Sequence, residues 1–262
     1  MKNIQTVLIT GASNGIGYEL SKLFARDGYA MVLVSRDEEK LNNVSRELAG
    51  LGSPNVNVIA VDLSEPDAAL EVFERTQELS LEIDVLVNDA GVGERGLFHE
   101  VSWERNLHIV QLNIISLMQL THLYLPHMIA RRQGRILQLG SIASYQPTPL
   151  LSVYAASKAF VLSFSDALIR ELRDTGVTLS VLIPGATDTD FFNKANAADS
   201  KAATSNPDDP AEVARAGYDA LLAGKHHVTP NLAVQSLVAL SNILPHEAVA
   251  RLGEQFMEKS EK

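Results

Sequence analysis

The side chains best suited to acid/base chemistry in this chain are Tyr154 and Lys158, which lie four positions apart, and Ser141, which precedes them. From Val153 onward the sequence predicts a helix, and on a helix the tyrosine and the lysine share one face. A free phenol has a pKa of about 10, which is too high for easy proton exchange at neutral pH. A neighbouring ammonium favours the phenolate and lowers that pKa, so we expect the pair to act as an acid/base unit.

The apolar stripe of that helix consists of Phe160, Phe164, Leu168 and Leu172. Its spacing of four predicts that this face of the helix is buried. The Tyr-x-x-x-Lys spacing alone does not decide between a catalytic pair and an ordinary helix start, where a half-buried ring precedes a solvated lysine. The decision depends on the other motifs of the chain.

A glycine-rich stretch, GASNGIG at residues 11–17, is the second feature that indicates chemistry. The apolar residues 4–10 before it predict a buried strand, and a helical pattern follows it. This is the context of a phosphate-binding turn, because glycines let backbone N–H groups approach a pyrophosphate and the helix N-terminus attracts its charge. The lack of a Gly-Lys-Ser/Thr ending excludes a P-loop, and a plain strand-to-helix turn is the alternative.

The end of the second predicted strand, residues 29–35, indicates which nucleotide would bind. In dinucleotide sites an acidic residue about here bonds the ribose hydroxyls of NAD, whereas a guanidinium suits the 2′-phosphate of NADP. This chain has Arg36 at the strand end and Asp37 one place later. Arg36 therefore favours NADP(H). NAD(H) stays possible, because Asp37 can turn inward or pair with Arg36.

Strands and helices alternate along the rest of the chain, which predicts an α/β fold with one parallel sheet covered by helices on both faces. No linker or repeat divides the pattern, so we expect a single Rossmann-type, doubly wound domain over residues 1–262. Ligands of such sheets bind at the C-terminal ends of the strands. The further predicted strands are residues 56–61, 83–87, 134–139, 177–183 and 226–228, and the predicted helices are residues 38–49, 66–79 with Pro66 in the first turn, 107–128 and 211–222.

The composition excludes several classes of function. The chain has 262 residues, a net charge of -10 and a pI of about 5.2, which argues against binding to nucleic acid or anionic lipid. It has no cysteine, so disulfides and thiolate chemistry are excluded. No signal peptide or membrane-spanning run is recognised, so we expect a cytoplasmic protein. We expect no metal site, because the pairs His226–His227 and His122–His127 are badly spaced for sharing one ion.

Together these motifs resemble the classical short-chain dehydrogenase/reductase family, and the resemblance extends from Thr10 to Thr189. It implies a Rossmann-type fold and hydride transfer to or from a nicotinamide. The matching residues, in chain order, are Thr10-Gly11-x-x-x-Gly15-x-Gly17, Asp62, Asn88-x-Ala90-Gly91, Asn113, Ser141, Tyr154-x-x-x-Lys158 and Pro184-Gly185.

The resemblance assigns a role to each of four catalytic residues. Tyr154 would donate a proton to a substrate carbonyl or accept one from an alcohol. Lys158 would lower the pKa of the tyrosine and bond the nicotinamide ribose. Ser141 would hydrogen-bond the reacting oxygen. Asn113 would bend its helix and hold a water molecule that relays protons from Lys158 to solvent.

The resemblance also implies the contacts of the cofactor. The adenine would lie near Asp62 and Leu63, a ribose near Asn88, Ala90 and Gly91, and the carboxamide near Thr187. Thr189 would lie near the phosphates. The remaining expected cofactor-binding residues are Gly11, Ser13, Asn14, Gly15, Ile16, Gly17, Arg36, Tyr154, Lys158, Pro184 and Gly185.

Two departures from the family pattern concern the cofactor site. Asp89 stands where the family usually has asparagine, and we expect a small effect on how the strand end is braced. Asn14 stands where NADP-dependent members often carry lysine or arginine, so the preference for NADP(H) depends on Arg36.

The resemblance places a substrate-closing loop at residues 190–210, where either Phe191 or Phe192 would cover the nicotinamide or anchor the loop. Residues 92–97 and 145–151 are expected to form the other walls of the pocket. The C-terminal extension, residues 230–262, contains predicted helices 232–244 and 248–257. These would pack on the body of the protein, on a partner subunit or at a membrane surface, the last being disfavoured because basic residues are few.

The function expected from these features is NADP(H)-dependent reduction of a small-molecule carbonyl, or oxidation of a secondary alcohol. An NAD-dependent alcohol dehydrogenase, a nucleotide-sensing scaffold without catalysis, and an isomerase or dehydratase of the same fold are the alternatives. No nucleic-acid or membrane partner is expected. By resemblance we expect a homodimer or homotetramer formed through the helices that carry Leu107 and Phe160.

Overall fold

The structure, a computed structural model, describes residues 4–241 and 243–260. Residues 1–3, 242 and 261–262 of the predicted domain, including one position of the predicted helix 232–244, lie outside the described residues. In the described part, seven parallel strands form one sheet in the order β3-β2-β1-β4-β5-β6-β7. The strands are β1 (Thr6–Thr10), β2 (Ala30–Ser35), β3 (Val56–Ala60), β4 (Val85–Asn88), β5 (Gly134–Leu139), β6 (Val177–Leu182) and β7 (His227–Val228).

Helices cover both faces of this sheet, so the expected doubly wound α/β fold is confirmed. They are α1 (Gly15–Arg26), α2 (Glu38–Leu51), α3 (Ala68–Glu78), α4 (Trp103–Val110), α5 (Leu117–Arg131), α6 (Ser152–Glu171), α7 (Phe191–Lys194), α8 (Lys201–Thr204), α9 (Pro210–Leu222), α10 (Leu232–Ser241) and α11 (His246–Met257).

The sheet separates two apolar cores. Helices α1, α2 and α9 pack on one face, and α3, α5 and α6 pack on the other. Successive side chains of a strand point to opposite faces, so Val7 and Ile9 enter the first core while Leu8 enters the second. Because both faces are covered, the inner strands read as continuous apolar runs in the sequence.

Two predicted helices differ from the observed ones. The predicted helix 66–79 begins at Ala68, so the prediction that Pro66 lies in its first turn is wrong. Asp67 takes a left-handed conformation (φ 62°) immediately before the helix and ends the preceding turn. The predicted helix 107–128 is part of a longer run that joins α4 to α5 through a π-helical segment, Gln111–Ser116.

The apolar stripe of α6 is only partly buried, contrary to the prediction. Leu172 is buried, but Phe160 and Phe164 keep part of their surface exposed and stack on each other with ring centroids 5.7 Å apart. The side of α6 that faces the core carries smaller residues, among them Val161 and Ser165. The four-residue spacing of apolar residues therefore predicted the helix correctly, but it assigned the wrong face of this helix to the core.

The order in which strands are added to the sheet reverses between β1 and β4, although the strands all run parallel. The connections from β1 lead outward to β2 and β3, and β4 then returns to the other side of β1. In open α/β sheets such a switch point opens a crevice at the carboxyl ends of the strands. The Thr10 hydroxyl accepts the backbone N–H groups of Asp89 and Ala90 at 3.1 and 3.0 Å and so holds the two strand ends together.

Candidate active site

A cavity of about 250 Å³ opens at the carboxyl ends of β4, β5 and β6. The glycine-rich turn, the start of α6 and the loop after β6 contribute to its walls. Because these segments are distant in sequence, only the fold brings them together. The predicted site residues that line the cavity are Asn14, Gly15, Ile16, Gly91, Ser141, Tyr154, Lys158, Pro184, Gly185, Thr187 and Thr189.

Tyr154 and Ser141 meet on one wall of the cavity. Ser141 follows β5, and its hydroxyl accepts the backbone N–H of Ala143 at 3.2 Å, which fixes the side chain at the start of a short 3₁₀ turn. Burial raises the pKa of Tyr154 to about 12, while a hydrogen bond from Ser141 lowers it and the charge of Asp89 raises it further. The expected lowering of this pKa is therefore not what the structure shows, and the phenol is the form present at neutral pH.

Lys158 is buried one helical turn beyond the tyrosine, with 5% of its surface exposed. Its Nζ donates to the carbonyl oxygen of Leu139 at 2.7 Å and lies 5.9 Å from the centre of the Tyr154 ring. Burial lowers the pKa of Lys158 to about 8, and the charge of Asp89 opposes this decrease. The lysine is thus held close to the tyrosine, as the spacing predicts, by the end of β5.

Asn113 lies in the π-helical segment. A π-helical segment distorts an α-helix, and a distortion was expected at Asn113. Its side-chain amide donates to the carbonyl oxygen of Val92 and to the hydroxyl of Ser157, both at 2.9 Å, and accepts the Val92 N–H. It therefore ties the segment after β4 to α6. The proton-relaying water expected here stays a prediction.

The glycine-rich turn has the conformation that a phosphate-binding turn needs. Gly11 and Gly15 have φ values of 71° and 59°, a region that favours glycine. A Cβ at Gly15 would lie 3.1 Å from the methyl group of Thr189, so the loop after β6 closes directly onto the turn. The hydroxyl of Ser13 lies 3.0 Å from that of Ser35 and links the turn to the end of β2.

The proposed adenosine end of the site lies beyond the cavity, at the ends of β2 and β3. Arg36 keeps 59% of its side chain exposed, and its Nη1 lies 3.7 Å from an Asp62 carboxylate oxygen. Asp37 accepts the backbone N–H of Lys40 at 3.0 Å, which caps α2 and holds the pKa of Asp37 below its ordinary value. Asp37, the residue that left NAD(H) binding possible, therefore caps the N-terminus of α2.

The other predicted cofactor residues lie in the interior. Asn88 donates to the Thr121 hydroxyl at 3.2 Å and to the Gln138 side chain at 3.0 Å, so its side chain braces β4 against β5 and α5. Leu63 is buried in the second core. Ala90 packs against the same core, Gly17 is buried, and Gly11 is partly buried. Their expected contacts with adenine and ribose stay predictions.

The sequence profile described as short chain dehydrogenase matches residues 5–200. This match covers well over half of the chain. The chain belongs to the short-chain dehydrogenase/reductase family. The family expected from the motifs is thereby confirmed, and with it the class of enzyme, the dehydrogenases and reductases.

Relatives of this short-chain dehydrogenase have diverse names. This chain is 40% identical over 188 residues to 17-beta-hydroxysteroid dehydrogenase type 3 of Rattus norvegicus. The match covers 71% of this chain and 60% of the relative. The chain is 34% identical over 181 residues to the ketoacyl reductase HetN of a Nostoc strain, covering 69% of this chain and 63% of the relative. The chain thus spans about 60% of the length of these relatives.

A solved structure matches almost end to end. A short-chain dehydrogenase from Sphingobium yanoikuyae, in complex with NADPH, superposes with a TM-score of 0.82 at 28% identity, covering 92% of this chain and 97% of that one. The similarity therefore extends beyond the residues of the family profile into the C-terminal helices.

The segment predicted to close over the substrate, residues 190–210, contains α7 and α8 in this short-chain dehydrogenase. The Phe191 ring packs on Tyr154 with centroids 5.0 Å apart, while Phe192 packs against Phe191 and an apolar cluster beside the cavity. An ion pair between Arg95 and Asp199, with 2.5 Å between nitrogen and oxygen, connects the loop to the segment after β4. Of the two candidate phenylalanines, Phe191 is the one whose ring contacts Tyr154, and the cover over the nicotinamide stays a prediction.

Residues of the C-terminal extension complete the cavity, and the sequence did not identify them. Leu237 of α10 and Phe256 and Met257 of α11 line it. A Cβ at Gly253 would lie 2.7 Å from the carbonyl oxygen of Pro147, so α11 packs directly on the loop after β5. Of the three placements expected for this extension, packing on the body is the one observed. Within the described residues, no helix is both long and apolar enough to cross a bilayer.

Proposed function

We propose that this protein catalyses the NADP(H)-dependent interconversion of a ketone and a secondary alcohol, with Tyr154 as the acid/base. The observation that carries the proposal is that Tyr154, Ser141 and Lys158 line one cavity together with the glycine-rich turn. This shared lining supports the proposal, in which Tyr154 is the proton donor, Ser141 binds the reacting oxygen and the turn binds the dinucleotide.

The protonation of Tyr154 favours reduction as the direction of use. Because burial holds its pKa near 12, the tyrosine carries the proton that a carbonyl oxygen must receive when it becomes an alcohol. Ser141 supports the same oxygen through its hydroxyl. When bound, the nicotinamide supplies or accepts the hydride. Tyr154 is left as a phenolate, which Ser141 stabilises by hydrogen bonding until a proton returns.

The proposed cofactor fits the residues present. Gly15 of the glycine-rich turn lines the cavity, and the turn lies at the N-terminus of α1, where phosphate charge is favoured. Arg36 offers an exposed guanidinium at the end of β2, and Asp37 is turned to α2. The preference for NADP(H) over NAD(H) rests on these two residues.

The lining of the cavity favours a large, mostly apolar ketone as substrate. Away from the catalytic residues, the walls consist mainly of Leu151, Phe191, Phe192, Leu237, Phe256 and Met257. Burial of such a substrate would contribute about 25 cal/mol for each Å² of apolar surface removed from water. The hydroxysteroid and ketoacyl groups in the names of relatives belong to the same chemical class.

Replacement of the tyrosine tests this proposal. Tyr154→Phe should lower kcat for ketone reduction roughly 10²- to 10⁴-fold while leaving NADPH affinity unchanged, because it removes only the acidic proton. Tyr29→Phe is the matched control, since its hydroxyl bonds Gln5 far from the cavity. Turnover in Tyr154→Phe close to that of the unchanged protein would exclude the tyrosine as proton donor.

We further propose a homodimer or homotetramer formed through α4 and α6. Trp103 and Leu107 of α4 are exposed, Leu107 by 48%, and Phe160 and Phe164 form a partly exposed stacked pair on α6. Leu107→Glu should shift the sedimentation coefficient towards that of a monomer if this face is the interface. An unchanged oligomer would place the interface elsewhere.

A further inference from the structure

Arg95 is a largely buried cation that has no part in the proposed reaction. It belongs to the segment after β4, and only 12% of its side chain is exposed. Its Nη1 lies 2.5 Å from Oδ1 of Asp199, which is 104 residues further along the chain. Arg95 therefore joins two segments that only the fold brings together, residues 93–96 and the segment predicted to close over the substrate, residues 190–210.

The same two segments meet through backbone and apolar contacts. The backbone N–H of Arg95 donates to the carbonyl oxygen of Ala195 at 2.8 Å. A Cβ at Gly93 would lie 3.0 Å from the tip of the Phe191 ring and 3.5 Å from the Ala195 side chain. Residues 93–96 thus lie against α7 and against the ring that contacts Tyr154.

Asp199 also connects the segment to the C-terminal residues. Its Oδ2 lies 3.3 Å from Nζ of Lys259, and its carbonyl oxygen accepts the backbone N–H of Ser260 at 2.8 Å. The hydrogen bond from Arg95 is the main reason that the pKa of Asp199 is held below its ordinary value. The carboxylate is therefore charged at neutral pH, and Arg95 is the partner that is largely withdrawn from water.

Burial distinguishes the Arg95 pair from other ion pairs of this segment. In the pairs Lys194–Asp190 and Lys201–Glu258, each side chain keeps 39% or more of its surface exposed. Such pairs contribute little, because water screens both charges. The guanidinium of Arg95 is much less hydrated, so the loss of its carboxylate partner would leave a poorly compensated charge. The contact with Asp199 is thus the ion pair best placed to fix the segment.

We propose that Arg95 is a positioning residue for the substrate site, because its ion pair with Asp199 holds residues 190–210 where Phe191 contacts Tyr154 and lines the cavity. This inference rests on the proposed function, in which the cavity binds the ketone. Arg95 itself lies outside the lining of the cavity. It therefore acts on the substrate through the position of Phe191.

The variant Arg95→Met removes the charge and keeps an unbranched apolar side chain. The KM for a large apolar ketone should rise about five-fold, which corresponds to the loss of one ion pair, while kcat and NADPH affinity should change little. Arg95→Lys should restore most of the lost affinity, because the ammonium still pairs with Asp199. An unchanged KM in Arg95→Met, or no rescue by lysine, would overturn the proposal.

A double variant shows whether Arg95 acts through Phe191. In Phe191→Ala the ring that the ion pair is proposed to position is absent. Adding Arg95→Met to that protein should therefore raise the KM no further, since two changes on one route are not additive. Fully additive increases in KM would show that Arg95 affects the substrate by another route, and they would overturn the proposal.

Arg215→Met is the matched control. Arg215 lies 3.7 Å from Asp219 in an exposed pair on α9, which packs on the face of the sheet opposite to α6. The same chemical change there should leave the KM in place. A rise of equal size in this control would show that the loss of any arginine charge suffices, and it would remove the argument from the contact with Asp199.

Limited proteolysis needs no turnover and keeps this inference separate from the proposed function. Lys194 and Lys201 are the tryptic sites within residues 190–210. In Arg95→Met, cleavage after these two lysines, followed by mass spectrometry, should be several-fold faster, because local opening of the segment becomes easier. Arg95→Lys should be cleaved slowly again.

Equal cleavage rates in Arg95→Met and the unchanged protein would overturn the proposal even if no ketone were found to react. Faster cleavage at every tryptic site, with a lower Tm, would show a general loss of stability and would overturn it as well. Faster cleavage confined to the segment, in a protein that reduces no ketone, would support the hold of Arg95 on the segment and count against the proposed function alone.

Discussion

The ring of Phe191 lies against the ring of Tyr154, with centroids 5.0 Å apart and planes inclined by 49°. The contact joins α7 to α6 and covers part of the Tyr154 ring. A Cβ at Gly93 would lie 3.0 Å from the tip of the same Phe191 ring, so the ring is held from both sides. Burial raises the pKa of Tyr154 to about 12, and Phe191 is one of the side chains that cover its ring.

Removing that ring should change the pH dependence of the enzyme. In Phe191→Ala water reaches the phenolate, so we expect the pKa of Tyr154 to fall from about 12 towards 10. The pH at which alcohol oxidation begins to rise should then fall by about one unit, with a higher KM for apolar substrates. Phe98→Ala is the control, since Phe98 is exposed and lies outside the cavity. Equal profiles for the two variants would contradict the role of the ring.

The choice of cofactor should depend on Arg36. Its pair with Asp62 is exposed and loose, so the guanidinium is available to a 2′-phosphate at little cost. Arg36→Ala should weaken NADPH binding roughly 10- to 100-fold and NADH binding little, because a charged hydrogen bond contributes about 1.5–3 kcal/mol. Calorimetric titration of both cofactors measures this. Arg75→Ala, on the surface of α3, is the control, and equal losses for NADPH and NADH would argue against the assignment.

The C-terminal wall of the cavity should depend on Gly253. A methyl group there would lie 2.7 Å from the Pro147 carbonyl oxygen, so Gly253→Ala must push α11 away from the loop after β5. We expect a several-fold higher KM for large ketones and an unchanged NADPH affinity. Gly50→Ala in α2 is the matched control, because a Cβ there meets nothing within 4 Å and alanine favours helix. Loss of NADPH binding in Gly253→Ala would show that α11 supports more than the substrate side.

The sequence sufficed for the parts of the site that depend on local pattern. Strand-to-turn-to-helix signals located the glycine-rich turn, and the spacing of Tyr154 and Lys158 on one helix placed them together. Contacts between distant segments were not predictable, such as Gly253 on Pro147, because no local periodicity encodes which loop a terminal helix covers. The rise in the pKa of Tyr154 was missed for a similar reason, since the burial that raises this pKa comes from segments distant in sequence.

The same reasoning applies to stability at Asp89. Its pKa rises from an ordinary value of 3.8 to about 7 on folding, so the native state binds a proton more tightly than the unfolded chain does. The stability that this group contributes is fully present below about pH 4 and is lost as the pH rises to about 7. Asp89→Asn has no such dependence. At pH 8 it should be more stable than the unchanged protein and should melt at a higher temperature.

Calorimetric or circular-dichroism melting from pH 4 to pH 8 measures this difference. The two proteins should melt alike near pH 4, where the native aspartate is protonated, and should separate as the pH rises through the interval. A constant difference at all pH values would indicate a change of packing rather than of charge.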